Sequence, residues 1–265
     1  TIPLASHLLS TILIHRIAFL ILLYSSLLTY NTLYVIPLSS GIGILGGLFQ
    51  QTILSQSIEI FILIIGGIIL LLVPEYNKVN TNFISFNKDN NKTKALQYYL
   101  DNLTSNTKEV ISNKLNNNNL SLKDYPLIIL FTSLGMISLI SSSDLIIMYL
   151  SIELQSFALY ILATMNRNSE SAVAAGLKYF LLGCLSSCFI LLGSTLIYSY
   201  TGLTNFESLN ILQSVIGQSF EGISYNYFAI GCIILTIGFL FKIGAAPLHS
   251  WAPDVYDGVP TMVTT

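Results

Sequence analysis

The apolar positions of the chain gather into long uninterrupted runs rather than the alternating or amphipathic patterns of a soluble fold. Six runs stand out, at about 16–36, 56–73, 125–140, 145–165, 172–200 and from 225 onward. A helix rises about 1.5 Å per residue, so about 20 apolar residues cross a 30 Å hydrocarbon layer. The pattern predicts an all-α fold: a polytopic transmembrane helix bundle. The sixth run is broken at Gly244-Ala245-Ala246-Pro247, because proline removes a helical hydrogen bond and clashes with the preceding turn.

Between the second and third runs the sequence changes character. Residues 75–124 are rich in Asn, Lys, Ser and Thr and include four consecutive asparagines at 116–119. Three parts follow: first transmembrane helices over 1–74, a polar loop over 75–124, and a transmembrane core over 125–265. Within the loop, 93–115 has Leu96, Tyr99, Leu100 and Leu103 spaced for one side of a short surface helix. The Asn tract reads as a solvated low-complexity insert. The chain opens on Thr1 without a secretory leader pattern, as a processed or internal start would.

Composition strengthens the membrane reading. Of 265 residues, 53% are hydrophobic and only 9% charged, against about 25% charged in a soluble domain. The net charge of −2 gives no footprint for nucleic acid. Cys184, Cys188 and Cys232 all fall in apolar runs without His or carboxylate at ligand spacing, so they read as small packing residues.

Charge also orders the loops. If the runs alternate across a membrane, segments 1–15, 75–124 and 166–171 share one side, and 37–55, 141–144 and 201–224 the other. The first side holds Lys78, Lys88, Lys92, Lys94, Lys108, Lys114, Lys123 and Arg167, with Arg16 at its boundary. The second side holds no Lys or Arg. The positive-inside rule assigns the first side to the cytoplasm, or to a mitochondrial matrix.

Three charged residues lie deep inside the apolar runs: Glu153, Lys178 and Lys242. A charge at mid-bilayer costs at least about 2.5–3.5 kcal/mol on insertion scales, so such residues face protein or water and mark ion or proton pathways. Glu153 is near the middle of its span, with Gln155 and Ser156 beside it; a static salt bridge between helices is the plainer alternative. Lys178 follows Ala174-Ala175-Gly176, where small residues permit close helix approach. It is expected to pair with Glu153 across the short loop, or else to snorkel to the interface. Lys242 directly precedes the helix break, and a broken helix beside a buried charge is a recurrent transporter device. Histidine is the side chain that changes charge near neutral pH; a proton relay and a packing role both fit His249. Glu59 reads as interfacial, and Asp144 as an N-cap. No phosphate-binding glycine loop, nucleophile elbow, paired-cysteine motif or haem-ligand pattern occurs.

These residues carry a family resemblance. FLFKIGAAPLHSWAPDVYDGVPTMVTT over 239–265 resembles the signature of the antiporter-like proton-pumping subunits of respiratory NADH dehydrogenase (complex I). DLIIMYLSIELQSFALYIL around Glu153 and AAGLKYFLLG around Lys178 agree in order and spacing. The resemblance covers roughly 125–265; residues 38–73 are similar to fungal versions more loosely, and the Ile-, Asn- and Tyr-rich composition suits an AT-rich mitochondrial genome. It implies an antiporter-like half with one discontinuous helix, in which Glu153 and Lys178 form a pair that modulates proton affinity and Lys242 receives the proton; His249 joins them as a candidate for the proton path on its own chemistry. It implies a multi-pass place in the mitochondrial inner membrane, with loop 75–124 on the matrix side. The partners implied are the lipid bilayer and the other membrane subunits of complex I, in a hetero-oligomer that binds no nucleic acid. No cofactor is expected on this chain itself, whereas the parent complex implies FMN, iron–sulfur clusters and ubiquinone. Family members normally have fourteen helices in two inverted halves, so a second half is expected beyond the sequence in hand.

The leading expectation is therefore a proton-translocating, non-redox subunit of an NADH:ubiquinone oxidoreductase. A cation/proton antiporter subunit uses the same Glu and Lys pattern, and a structural membrane scaffold is the alternative from another class.

Overall fold

A computed structural model describes residues 11–34, 41–86, 124–166, 169–219, 223–259 and 261–264. The elements in order are α1 (Thr11–Thr32), β1 (Ile42–Ile44), β2 (Phe49–Gln51), α2 (Ile53–Phe86), α3 (Asp124–Ile140), α4 (Leu145–Thr164), α5 (Glu170–Thr201), α6 (Phe206–Ser219), α7 (Ile223–Ile243), α8 (Trp251–Gly258) and α9 (Thr261–Thr264). Each expected span is a helix. Among the described residues four stretches are long and apolar enough to cross a membrane: Leu13–Thr32, Ile53–Leu72, Leu145–Thr164 and Glu170–Thr201; Asp124–Ile140 and Tyr227–Ile243 are shorter apolar helices.

Boundaries differ from expectation in three places. Helix α2 does not stop at Val73 but runs 34 residues to Phe86, about 51 Å and well beyond a hydrocarbon layer. Pro74 therefore sits inside a helix rather than ending one. Two elements fall in stretches read from sequence as loops: the β1–β2 hairpin and α6. The hairpin depends on a run of left-handed backbone, with Leu45, Gly46 and Gly47 all at positive φ. Helix α6 is started by Asn205, whose side-chain oxygen accepts from the Glu207 N–H at 2.9 Å. The expected surface helix at 93–115 lies outside the described residues.

The chain forms two compact units, residues 1–24 with 64–130 and residues 25–63 with 131–265. In the first, Phe19 and Leu22 of α1 meet Gly67 and Gly66 of α2, and His15 stacks on Tyr125 with ring centroids 6.4 Å apart.

The second unit holds the residues of functional interest. Its main core is Leu145, Met148 and Ile152 of α4 with Ile190 and Ile197 of α5, closed by Leu235 and Phe239 of α7. Helices α5 and α7 approach at backbone distance: a methyl on Gly238 would stand 2.9 Å from the Ile190 nitrogen, and one on Gly193 2.7 Å from the Leu235 nitrogen. Small residues do this in membranes, where packing replaces hydrophobic drive.

Polarity is inverted relative to a soluble bundle. Ser151, Ser156, Ser186, Ser187 and Ser194 are buried, while Leu20, Ile161, Leu177 and Ile233 are more than half exposed. The buried hydroxyls donate to carbonyls of their own helices, as Ser156 does to Ile152 at 2.6 Å and Ser186 to Gly183 at 2.6 Å. Satisfied polar groups inside and bare apolar groups outside are what a lipid solvent requires.

One end of this unit is knitted by backbone pairing. In the hairpin Ile42 pairs Gln51, Gly43 pairs Gln50 and Ile44 pairs Phe49. The Gln50 N–H donates to Ser141 O at 2.8 Å and the Ser143 N–H to Leu48 O at 3.1 Å; the Phe206 N–H reaches Ser143 O at 3.0 Å and the Leu145 N–H reaches Thr204 O at 3.0 Å. Loops 41–52, 141–144 and 202–207 thus form one cap, all from segments without Lys or Arg.

Candidate functional site

Helix α4 carries Glu153, α5 carries Lys178 and Ser187, α7 carries Lys242 in its last turn, and α8 carries Trp251 and Asp254. The Lys242 ammonium lies 3.3 Å from Glu153 Oε1 and 3.4 Å from Ser187 Oγ. Both charged side chains are largely enclosed, at 20% and 15% exposure. Ser187 in turn donates to Gly183 O at 2.9 Å. The lysine sits in the last turn of α7, the end of a helix at which the dipole favours a cation.

The helix break at Lys242 has defined chemistry. Gly244 takes the left-handed conformation at φ 71°, which costs a side-chain-bearing residue about 1–2 kcal/mol. Its N–H donates to Phe241 O, and the Ala245 N–H donates to Leu240 O at 3.0 Å. These are the two hydrogen bonds of a Schellman ending. The Trp251 indole then donates to the same Phe241 oxygen at 3.0 Å. Pro247 follows a cis peptide bond in the turns that lead to α8.

Beside this break is a small cavity walled by Tyr160, Tyr179, Gly183, Ser186, Lys242 and Trp251. It leaves about 10 Å³ for a water's centre, about one water molecule's worth of room. The aromatic walls are ordered: Tyr160 meets Tyr179 edge-on with centroids 4.8 Å apart, and Tyr179 stacks on Trp251 at 5.3 Å and 15°.

Lys178 does not meet Glu153. It pairs with Asp254 Oδ2 at 3.0 Å, with both side chains more than half exposed. The reason is axial position: Ser187, level with the Glu153–Lys242 pair, is nine residues further along α5 than Lys178, about 13 Å. The Lys178–Asp254 pair instead lines an open cleft of about 470 Å³ with Ser171, Ala174 and Asp257.

Other expected positions gain detail. Glu59 is 3% exposed and accepts from Gln51 Nε2 at 3.0 Å. Asp144 occupies the N-cap position of α4 without a side-chain capping bond, and its buried Oδ1 has no partner among the described residues. His249 is exposed in the turn before α8, with no side-chain hydrogen bond among the described residues. Cys184 and Cys188 are free thiols, and the described residues contain no cluster of metal-ligating side chains.

Sequence reading missed Ser187, Asp254 and Trp251. Ser187 was visible only as one polar residue in a long apolar run. Trp251 and Asp254 stood in the motif after the break, three positions apart, the spacing that puts two side chains on one helical face.

Comparison with known proteins gives the arrangement a lineage. Residues 142–265 match the family described as NADH:quinone oxidoreductase/Mrp antiporter, transmembrane. The chain belongs to this family. It is 52% identical over 255 residues to NADH-ubiquinone oxidoreductase chain 2 of Rhizopus oryzae, covering 95% of this chain and 43% of that one. It is 37% identical over 229 residues to chain 2 of Marchantia polymorpha, covering 86% and 44%. The chain therefore spans less than half the length of these curated relatives. Among solved structures, respiratory complex I from Thermus thermophilus with bound aureothin holds a similar chain, with TM-score 0.64 and 24% identity over 99% of this chain and 46% of that one. That likeness establishes the antiporter-like fold. In this family member the residues brought together at the broken helix are Glu153, Ser187 and Lys242, with Lys178 and Asp254 as a second pair nearby.

Proposed function

We propose that the chain acts in a proton-translocating membrane subunit of an NADH:ubiquinone oxidoreductase, with Lys242 as the group that takes up and releases the proton. The observation that carries this reading is the enclosed Glu153–Lys242 pair at a broken helix end. A carboxylate beside an amine favours the amine's protonated form. Two unit charges about 4 Å apart interact by about 4 kcal/mol at an effective dielectric of 20. Drawing Glu153 away from Lys242 would remove support of that size and free the proton. Carrying one charge across 100 mV costs about 2.3 kcal/mol, so the electrostatic swing is large enough for the work. Redox chemistry elsewhere in the parent complex would supply the movement of charge, and this chain's residues would hold and pass the proton.

The names of the relatives support the respiratory assignment, and the mitochondrial inner membrane is the matching location, with the Lys-rich 75–124 segment on the matrix side by the positive-inside rule. The test is Lys242→Met in the assembled complex. NADH-driven proton translocation is expected to fall at least tenfold with the complex still assembled, a change of about 1.4 kcal/mol or more. Translocation at the wild-type number of protons per NADH would overturn the reading.

A second reading has support in the family description itself, which also covers Mrp antiporters. There the same pair would serve cation/proton exchange. Proton movement that requires sodium, in a parent complex that oxidises no NADH, would favour it.

A further inference from the structure

We infer that Trp251 is a positioning residue for the proton-carrying lysine: its indole N–H, held by Tyr179, fixes the broken end of α7 and so sets where the Lys242 ammonium stands. The inference rests on the proton-translocation reading above and adds a residue to it.

In an unbroken helix the Phe241 carbonyl would accept from the N–H four residues on, at Ala245. Here Ala245 donates to Leu240 instead, and Phe241 O is completed by Gly244 N–H and the indole of Trp251. Phe241 directly precedes Lys242, so the indole holds the peptide from which the lysine springs. The same ring closes the cavity against Lys242.

The indole is itself held. Tyr179 stacks on it nearly parallel, and both rings pack against a buried cluster of Ala163, Ala175, Val255 and Val259. The neighbours in sequence repeat the link: Lys178, next to Tyr179, pairs with Asp254, three residues after Trp251. Two adjacent residues of α5 thus grip two positions of α8, one by charge and one by stacking. The exposed ion pair alone is worth little; the stack and the indole hydrogen bond give the grip its geometry. Any displacement of α8 reaches Lys242 through the Phe241 carbonyl.

The experiment uses the complete complex in native membranes. Trp251→Phe keeps an aromatic ring for Tyr179 but removes the donor, and Tyr179→Leu removes the stack while leaving the donor. Assembly is followed by native gel, and proton translocation and NADH oxidation are measured from pH 6 to 9. Trp251→Phe is expected to assemble, to lower the rate of proton translocation by up to about tenfold, the rate equivalent of one neutral hydrogen bond, and to displace the pH profile of translocation. Tyr179→Leu is expected to displace the profile in the same direction by less. A residue with only a structural role would change the amount of complex and leave the pH profile where it was. An assembled Trp251→Phe complex with a wild-type profile overturns the inference. If Trp251→Phe does not assemble, an unshifted profile in Tyr179→Leu overturns it, and failure of both to assemble makes Trp251 a folding residue and overturns it too. Lys242→Met separates the two levels: if that variant translocates normally the functional reading falls, whereas a needed Lys242 with unshifted Trp251 and Tyr179 variants removes this inference alone.

Discussion

At the scale of single residues, the two lysines of the core have different partners, and that difference is measurable. Lys242 shares an enclosed site with Glu153, whereas Lys178 holds Asp254 on an open cleft. Residues in one ion pair lose function non-additively, while separated residues add. Glu153→Gln is therefore expected to add little to the translocation defect of Lys242→Met and to add its full effect to that of Lys178→Met. Initial rates of NADH-driven proton movement in the two double variants decide it; the reverse pattern would restore the pairing of Glu153 with Lys178. That pairing looked right in the sequence because both residues stand out as charges in apolar runs joined by a short loop. The register along α5 is what sequence could not supply: no local signal says that Ser187 rather than Lys178 is level with Glu153. Glu59 shows a related gap. Its place near a span end reads as interfacial, and the contact that buries it, with Gln51, has no local signal in the sequence. Glu59→Leu leaves the Gln51 amide without its acceptor, a loss of about 1–3 kcal/mol, while Glu59→Gln keeps an oxygen there. Less assembled complex is expected from the first than from the second, as native gels would show.

At the scale of elements, helix contacts through glycine give a graded test. A methyl on Gly193 would strike the Leu235 backbone at 2.7 Å, whereas one on Gly67 would meet only the Phe19 ring at 3.5 Å. Alanine in a helix interior is favoured over glycine by about 1 kcal/mol, but overpacking against backbone costs about 1–3 kcal/mol. Gly67→Ala is expected to leave heat resistance of the complex unchanged or raised, and Gly193→Ala to lower it. Equal behaviour would mean that α5 and α7 are not held as close as described. The elements themselves were legible in uneven degree. Apolar runs located each span, because a lipid solvent forces backbone groups to pair within the segment. The break after Lys242 was legible from Gly244 and Pro247. The hairpin and α6 were not, since they arise from positive-φ backbone and pairing with distant loops rather than from any apolar period.

At the scale of the whole molecule, the distribution of charge sets the sides. Seven lysines fall between 75 and 124, and none of the segments that build the hairpin cap carries Lys or Arg. Helix α6 belongs with that cap, since the Phe206 N–H donates to Ser143 O, and Ser214 is exposed on it. Cationic loops resist passage across an energised membrane, so the 75–124 segment and α6 are expected on opposite faces. Two reporters test this in a background whose native cysteines are replaced by alanine: Asn117→Cys in the Lys-rich segment and Ser214→Cys in α6. A membrane-impermeant thiol reagent is expected to label Asn117→Cys only in inverted inner-membrane particles and Ser214→Cys only in right-side-out ones. That outcome also orients the Lys178–Asp254 cleft. It is lined by Ser171, next to the segment that carries Arg167, so it would open toward the Lys-rich face. Labelling of both reporters from one face would remove a span from the count between them and with it that orientation of the cleft.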